Sequence, residues 1–243
     1  MPIINLNEVD STNAYIKRKC ITSILEDFTV VTAELQTEGR GQMGTLWRSD
    51  ASKNLTCSIY KDVSFLDTDK QFYISMVTSI AVIEALKTLQ IPKLAIKWPN
   101  DILSEGKKIG GILIENIIKY NTINASIIGL GLNVNQKFFP GLPKASSLHI
   151  LTGKLFEREE IIDLILKYLE IEFKHLKARH FEAIKINYES LLFRLQKPST
   201  FETHFGKQFT GYIKGITDDG KLNVLVENDR LKTFDLKEIR LLY

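Results

Sequence analysis

Cysteine is scarce in this chain of 243 residues, and the marks of several protein classes are missing. The two cysteines, Cys20 and Cys57, form no CxxC pair and no cluster with histidine, which argues against a disulfide framework and a structural zinc site. No apolar run reaches the ~20 residues that a membrane-spanning helix needs. The start, MPIINLNEVDSTN, lacks the basic region and apolar core of a secretory signal. We therefore expect a cytoplasmic protein without a membrane partner.

A large excess of one charge is also absent. The chain has 32 Lys and Arg against 29 Asp and Glu, which gives a formal net charge of +3 at pH 7. Because proteins that bind the DNA backbone usually show a basic excess or a basic stripe, this balance predicts no nucleic-acid partner. The hydrophobic fraction of 44% is typical of one or two globular domains with a substantial core.

The hydrophobic pattern predicts an α+β chain in two parts. Apolar and β-branched runs predict strands at 3–9, 28–35, 55–60, 95–98, 109–117 and 124–132. Helical spacing predicts helices at 12–20, 69–89, 157–177 and 181–192. After residue 192 the pattern becomes a series of short alternating strands, with Asp219-Gly220 as the strongest hairpin signal. The predicted domains are therefore a mixed α+β domain at 1–192 and a small all-β domain at 193–243.

A glycine-rich segment, EGRGQMG at 38–44, directly follows a predicted strand. Its glycines allow the backbone to approach a ligand closely, and Arg40 offers a forked cation that suits phosphate or carboxylate. The segment is not a P-loop, because no Gly-Lys-Ser/Thr follows, and no amphipathic helix opens at its last glycine as a dinucleotide fingerprint requires. Taken alone, it is equally well explained as a flexible surface loop.

A second segment, KWPND at 97–101, ends a predicted strand at Pro99. Asn100 and Asp101 then stand at a strand end, where a ligand is often met, and Asp binds Mg²⁺ through oxygen. By itself, an ordinary Pro-Asn-Asp turn explains this segment better.

Two predicted strands are interrupted by glycine: KKIGGILIE at 107–115 and IGLGLN at 128–133. Glycine inside a strand usually marks a bulge or a close approach of a ligand to the backbone. Lys108 precedes the first glycine pair and could reach into the same space, although most lysines at a strand start are simply solvated. Two such strands in one small domain favour a ligand site.

These segments together resemble the biotin–protein ligase family. Ser11-Thr12-Asn13 is similar to the family's early S-T-N, and GRGQMG followed by Trp47 is similar to its biotinyl-adenylate loop. KWPND, KIGGILIE and IGLGLN then follow in the family's order. The resemblance is strong from about residue 8 to residue 133 and looser beyond. It implies a catalytic domain like that of class II aminoacyl-tRNA synthetases, with a mixed sheet, and a small C-terminal SH3-like β barrel.

The resemblance implies an ATP-dependent ligase that forms biotinyl-5′-AMP and transfers biotin to a lysine of a biotin carboxyl carrier protein. ATP and Mg²⁺ would be co-substrates and biotin the substrate, with no tightly bound prosthetic group. The protein would be a monomer or a homodimer, and strand 124–132 could pair across a dimer as in some relatives. Because the S-T-N motif begins at residue 11, the DNA-binding domain that some members carry before it is not expected.

The resemblance also implies site residues. Arg40 and Lys108 would be catalytic, since fixed cations offset the repulsion between a carboxylate and an α-phosphate. Asp101 would bind Mg²⁺. The residues implied to contact biotin or the adenylate are Ser11, Thr12, Asn13, Gln36, Gly39, Arg40, Gly41, Gln42, Trp47, Lys97, Asn100, Lys108, Gly111, Gly129 and Asn133.

Several of these residues have more specific implied roles. Ser11, Thr12 and Gln36 would hydrogen-bond the biotin head group. Asn133 would help read adenine, and Trp47 would pack near the adenylate once its loop orders.

Two departures from the family's pattern are visible. Many relatives carry Arg where this loop has Gln42, so one cation is missing beside Arg40. Some relatives direct an Arg near the end of the chain at ATP, and Arg240 is out of register with it.

Other functions remain open at this point. A lipoate–protein ligase would share the fold and the reaction type, but KWPND and GRGQMG with Trp47 favour biotin. A non-catalytic biotin-binding regulator would have less need of Arg40, Lys108 and Asp101 together. An RNA-binding role for the C-terminal domain would need a basic-aromatic stripe, which the last fifty residues lack.

Overall fold

The computed structural model describes residues 1–243, apart from the side chain of Met43. The strands of its first sheet are β1 (Ile3–Val9), β2 (Val30–Gln36), β3 (Leu55–Asp62), β4 (Leu94–Lys97), β5 (Asp101–Ser104), β6 (Lys107–Lys119) and β7 (Thr122–Leu132). The helices are α1 (Thr12–Thr22), α2 (Phe72–Thr88), α3 (Leu148–Thr152), α4 (Arg158–Lys177) and α5 (Phe181–Ser190). The strands of the second sheet are β8 (Pro198–Thr203), β9 (Gln208–Ile216), β10 (Leu222–Val226), β11 (Arg230–Phe234) and β12 (Ile239–Leu242).

The first sheet is mixed and has the strand order β1-β2-β3-β7-β6-β5-β4. Strands β1 and β2 are parallel, which requires a crossover connection, and α1 provides it. The other neighbours are antiparallel. The predicted α+β class with a mixed sheet is confirmed.

Strand β7 lies in the middle of this sheet. It pairs with β3 along Ala125–Leu132 and with β6 along Thr122–Leu132. Because both sides of its backbone are already paired, the expectation that strand 124–132 pairs across a dimer is wrong. The edges of this sheet are β1 and β4.

Helix α2 forms the centre of the core. Twelve of its 17 residues are buried, because it lies against the sheet on one side and against α4 and α5 on the other. Helix α4 is amphipathic, and its apolar positions, such as Ile165 and Leu169, are buried while its charged positions face solvent. This helical layer covers one face of the sheet. Helix α1 packs on part of the opposite face, against β2, β3 and β7. No helix of the described chain is long and apolar enough to cross a membrane.

Two elements are present that the sequence did not predict. Strand β5 begins at Asp101 itself and forms an antiparallel hairpin with β4, in which Lys97 and Asp101 are directly opposite. Both strands have only four residues, too few to show a period. The five-residue helix α3 was missed for the same reason. The KWPND segment is therefore a hairpin turn that holds two charged side chains next to each other.

The C-terminal strands form one antiparallel sheet with the order β11-β10-β9-β8-β12. The predicted hairpin at Asp219-Gly220 joins β9 to β10. Among the described residues no ladder joins β11 to β12, so the predicted barrel is not closed. The indole Nε1 of Trp98 donates a hydrogen bond to the carbonyl of Gly220 at 2.8 Å, which ties the KWPND turn to this sheet.

Asp218 also ties the β9–β10 turn to the helical layer. Its carboxylate accepts hydrogen bonds from Lys70, before α2, and from Lys185 of α5, each at 2.9 Å. The hydrogen bond from Lys70, followed by that from Lys185, holds the pKa of the Asp218 carboxyl at about 2, below its ordinary 3.8. These contacts fix the second sheet against the helical layer.

We expect Asp218→Asn to lower the free energy of unfolding by about 0.5–1 kcal/mol near neutral pH, the range for partly exposed ion pairs. Because the folded-state pKa is depressed, this stabilisation is present above the ordinary pKa of 3.8 and is lost as the pH falls towards 2. Urea unfolding of both proteins near pH 6 and near pH 2.5 measures the difference. Asp163→Asn, which changes an exposed carboxylate of α4, is the control. A difference of equal size at both pH values would contradict the assignment.

Candidate functional site

A cavity of about 830 Å³ opens on the side of the first sheet that α2 does not cover. In β6 and β7, even-numbered residues such as Ile112 and Ile128 pack in the core with α2. Because side chains alternate along a strand, the odd-numbered positions Gly111, Gly129 and Gly131 face the cavity. The glycines thus lie on one face of two adjacent strands and form a floor without side chains.

Most of the residues that the sequence singles out meet at this cavity. They come from the start of α1, the loop after β2, the β4–β5 turn and the two glycine-interrupted strands. Those that line it are Ser11, Thr12, Asn13, Gln36, Arg40, Gly41, Gln42, Trp47, Lys97, Asn100, Asp101, Lys108, Gly111 and Gly129.

Two of the predicted residues, Gly39 and Asn133, do not line the cavity. The carbonyl of Gly39 accepts a hydrogen bond from the backbone of Trp47 at 2.9 Å, so this glycine closes the base of the loop. The buried amide of Asn133 donates to the carbonyl of Ser146 at 3.0 Å. Asn133 therefore holds the segment that follows β7, and its role in reading adenine stays a prediction.

One end of the cavity is lined by neutral polar groups. Gln36 Oε1 accepts hydrogen bonds from the backbone N of Thr12 at 2.8 Å and from its hydroxyl at 3.0 Å. This fixes the amide of Gln36 so that Nε2 remains as a donor on its other side. Ser11 is the N-cap residue of α1, yet its side chain makes no capping hydrogen bond. We call this region, lined by Ser11, Thr12, Asn13 and Gln36, the polar end.

Two side chains of the protein lie on the glycine floor. A Cβ added at Gly131 would overlap the indole ring of Trp47, and one at Gly129 would lie 2.5 Å from Oδ1 of Asn13. The absence of a side chain at these two positions is therefore required by Trp47 and Asn13. The predicted bulge is also present, as a register shift between β5 and β6 beside Gly110. Gly131, in the same motif as Gly129, was missed as a site residue.

The indole Nε1 of Trp47 is buried and has no hydrogen-bond partner among the described residues. Native structures usually satisfy such a donor, so it marks a place where a ligand or water can accept a hydrogen bond. The loop that carries Trp47 is closed by a backbone hydrogen bond from Gly41 to Thr45 at 2.7 Å. Trp47 is thus held over the floor by the ends of its own loop.

The middle of the cavity contains three charged groups. The Asp101 carboxylate lies 2.5 Å from Nζ of Lys108 and 3.1 Å from Nζ of Lys97. Lys108 is further fixed through its backbone, which donates to the carbonyl of Lys144 at 2.7 Å and accepts from Ser146 at 2.9 Å. Two cations around one anion leave a net positive charge, which suits an anionic ligand. We call this group, Lys97, Asp101 and Lys108, the charged centre.

The charged centre does not fit a Mg²⁺ ion held by the protein. Each oxygen of Asp101 already faces a lysine ammonium. No group of three or more His, Cys, Asp or Glu that could hold a metal occurs in the described chain. The donor set that Mg²⁺ prefers, oxygen atoms in octahedral geometry, is therefore not assembled here, and the expected role of Asp101 as a metal ligand is not supported.

Arg40 lies at the rim of the cavity. Its side chain is 63% exposed and lies 3.8 Å from Glu38 of the same loop. This long, exposed ion pair adds little stability, so the guanidinium is free to exchange Glu38 for a ligand anion.

The C-terminal sheet forms the remaining wall. Of its residues, the sequence pointed only to Arg240, which was expected to be out of register with the ATP-directed Arg of some relatives, yet it does line the cavity. Phe201, Ile213 and Arg240 from this sheet line the same cavity as Lys97 and Lys108. Arg240 donates to Glu202 at 2.6 Å, so it reaches the cavity wall as part of an ion pair. The cavity therefore lies between the two sheets.

Comparison with known proteins gives consistent results. A model of the biotin/lipoate A/B protein ligase family matches residues 6–133. The chain is 32% identical over 219 residues to the bifunctional ligase/repressor BirA of Bacillus subtilis. This match covers 88% of this chain and 66% of the Bacillus protein. It is 27% identical over 221 residues to the biotin–[acetyl-CoA-carboxylase] ligase of Mycobacterium tuberculosis, at 88% and 80% coverage. The chain thus spans slightly less than two thirds of the length of the Bacillus relative.

Among solved structures, the fold is similar to that of the biotin protein ligase from Aquifex aeolicus in complex with biotin and ATP. The TM-score is 0.82 at 29% sequence identity, and the match covers 99% of this chain and 98% of that one. Both sheets are therefore included in the likeness.

Proposed function

The chain belongs to the biotin/lipoate A/B protein ligase family, whose model matches more than half of it, and we propose that it is a biotin–protein ligase. In this proposal it forms biotinyl-5′-AMP from biotin and ATP and then transfers biotin to a lysine of a biotin carboxyl carrier protein. The observation that carries the proposal is that one cavity holds both a polar end, at Thr12 and Gln36, and a charged centre, at Lys108 and Asp101.

The polar end supports biotin as the substrate. The head group of biotin is a cyclic urea with N–H donors and a carbonyl acceptor. Gln36 Nε2 can donate to that carbonyl, and the hydroxyl of Thr12 can accept from an N–H. The dithiolane ring of lipoate has neither group and would leave these polar atoms unpaired, which is costly in a buried site.

The charged centre supports the first reaction step. A carboxylate oxygen of biotin attacks the α-phosphorus of ATP, the bond to the bridging oxygen breaks, and pyrophosphate leaves. Lys108 and Lys97 offset the repulsion between the two anions, and Asp101 keeps both ammonium groups in place. Mg²⁺ would enter as part of the substrate Mg·ATP, bound to its phosphates.

The second step needs an acceptor but no nucleophile of this chain. The lysine amine of the carrier attacks the acyl carbonyl of the mixed anhydride, and AMP leaves. Trp47 and its loop cover the floor, which would keep water from hydrolysing the adenylate before the carrier arrives. The Mycobacterium relative is named for an acetyl-CoA-carboxylase acceptor, which supports a carboxylase carrier domain as the partner.

Transfer of labelled biotin to a purified carrier domain, with Mg·ATP, tests the proposal. We expect biotin to be transferred and lipoate to be rejected by at least ~10³-fold in kcat/KM, because a site built to hydrogen-bond its substrate discriminates strongly against an analogue without those groups. A lipoyl carrier domain serves as the matched acceptor for lipoate. Preferential transfer of lipoate would show that lipoate, and not biotin, is the substrate. Adenylate binding without any transfer would instead indicate a regulator.

A further inference from the structure

A chain of side-chain hydrogen bonds leads from the protein surface to the polar end of the cavity. At its outer end Lys17 donates to Glu115 Oε1 at 2.5 Å, and Asn13 Nδ2 donates to Glu115 Oε2 at 2.7 Å. Glu115 lies on β6 and Lys17 on α1, about a hundred residues apart in sequence. The carboxylate is thus shared by one exposed cation and one buried amide.

The inner half of the chain is buried. Ser58 Oγ lies 2.5 Å from Asn13 Oδ1 and 2.6 Å from the hydroxyl of Thr12. The exposed fractions of Thr12, Asn13 and Ser58 are 3%, 4% and 0%. Because Ser58 is fully buried and does not line the cavity, a partner that it loses is not replaced by solvent, and its proton must have a defined position.

The carboxylate of Glu115 determines these positions. An ionised carboxylate only accepts hydrogen bonds, so Asn13 must turn Nδ2 towards Glu115 and Oδ1 towards Ser58. Oδ1 also only accepts, so the proton of Ser58 points to Asn13. With that proton on Asn13, Ser58 Oγ can only accept across its 2.6 Å contact with the hydroxyl of Thr12. The single proton of Thr12 is therefore shared between Ser58 Oγ and Gln36 Oε1, and a lone pair of Thr12 stays available to the cavity.

We propose that Glu115 is a positioning residue that, through Asn13 and Ser58, fixes which atoms at the polar end donate and which accept hydrogen bonds. The inference rests on the proposed function, since a free acceptor on Thr12 next to the Nε2 donor of Gln36 is the arrangement that a cyclic urea requires. Glu115 does not line the cavity and acts only through other side chains.

Glu115→Gln is the central test. A glutamine has one acceptor oxygen for two donors, so Lys17 and Asn13 compete for it and the amide of Asn13 loses its fixed orientation. We expect KM for biotin to rise about tenfold, or ~1.4 kcal/mol, with KM for ATP and kcat within about twofold. In 2-iminobiotin a protonated guanidinium group replaces the urea, so a donor stands where biotin has its carbonyl. We expect the ratio of KM for 2-iminobiotin to KM for biotin to fall by a similar factor in Glu115→Gln.

A second substitution distinguishes positioning from a merely structural role. In Lys17→Met/Glu115→Gln the competing donor is gone, and the glutamine oxygen can accept from Asn13 alone. We expect this double variant to recover biotin affinity to within about threefold of wild type. Ser58→Ala, which removes the proton donated to Asn13, should weaken biotin binding without affecting ATP, and it keeps the test available if Glu115→Gln folds poorly.

Glu105→Gln is the matched control. Glu105 forms a comparable exposed pair with Lys93 at 2.9 Å, at the β5–β6 turn and away from the polar end. It should leave both KM values unchanged. An unchanged KM for biotin in Glu115→Gln, an equal rise for biotin and ATP, or a double variant as weak as the single one would each overturn the inference. Wild type is assayed first, so that failure of the proposed function shows as inactivity of every protein, whereas failure of the inference alone leaves wild type active.

Discussion

Lys108→Ala is expected to lower kcat/KM for biotinyl-AMP formation by at least ~10²-fold, because removing one preorganised donor from a charge-stabilising site typically costs 10²–10³-fold. Lys108 is the cation closest to Asp101, and its backbone is held on both sides by the segment after β7. Lys97 remains in the variant but lies on the other oxygen of Asp101. It therefore cannot take over the position that Lys108 leaves.

Pyrophosphate release with saturating ATP measures this effect, and direct titration with biotin separates binding from chemistry. Lys107→Ala is the control, since adjacent residues of a strand point to opposite faces and Lys107 is exposed. We expect biotin binding without ATP to change only a few-fold in Lys108→Ala. If this variant formed the adenylate at the wild-type rate, Lys108 would have no role in that step.

Gly131→Ala is expected to shorten the lifetime of the bound adenylate about tenfold or more. A Cβ at this position would lie 2.6 Å from Cζ2 of Trp47, so the indole must leave the floor. Overpacking of this kind costs typically 1–3 kcal/mol, and 1.4 kcal/mol corresponds to a tenfold change in population. With the indole displaced, water reaches the mixed anhydride before the carrier does.

Gly111→Ala is the matched comparison, because Gly111 is the direct cross-strand partner of Gly131. Its Cβ would make only ordinary contacts, 3.7 Å from Trp47 and 3.6 Å from Lys108, so we expect a much smaller effect. Release of labelled AMP without a carrier measures adenylate lifetime, and tryptophan emission reports whether Trp47 becomes exposed. Equal behaviour of the two variants would contradict the role of the glycine floor.

The long elements of the fold follow closely from the sequence. The apolar spacing in 69–89 and 157–177 predicted α2 and α4, and each is within three residues of its predicted ends. β5 was missed because its four residues are too few to show a period, and its hairpin is defined by pairing with β4 and β6. The open C-terminal sheet could not be foreseen because ladder closure depends on strand tilt and on contacts distant in sequence.

The positions of the site residues were predictable from their order in the chain, but their partners were not. The motifs bring Thr12, Gln36 and Lys108 to one cavity, as the resemblance implies. The expected role of Asp101 as a Mg²⁺ ligand came from its place at a strand end and from the resemblance, and nothing in the sequence shows that both of its oxygens face lysines. Ser58 gave no signal, and Glu115 stood only as the last residue of the KIGGILIE motif. A polar residue in a strand can be recognised as a partner of Asn13 only once two strands and a helix are placed together.

The wall of the cavity begins at Ser11 and ends at Leu241, so all of the chain between these residues must be made before the cavity is enclosed. During translation the first sheet and its glycine floor emerge well before β12. A nascent chain at that stage has the charged centre but lacks the opposite wall, and it is therefore not equipped to hold a reactive acyl phosphate away from bulk water. In the proposed function, protection of the adenylate from water therefore requires that β12 has folded.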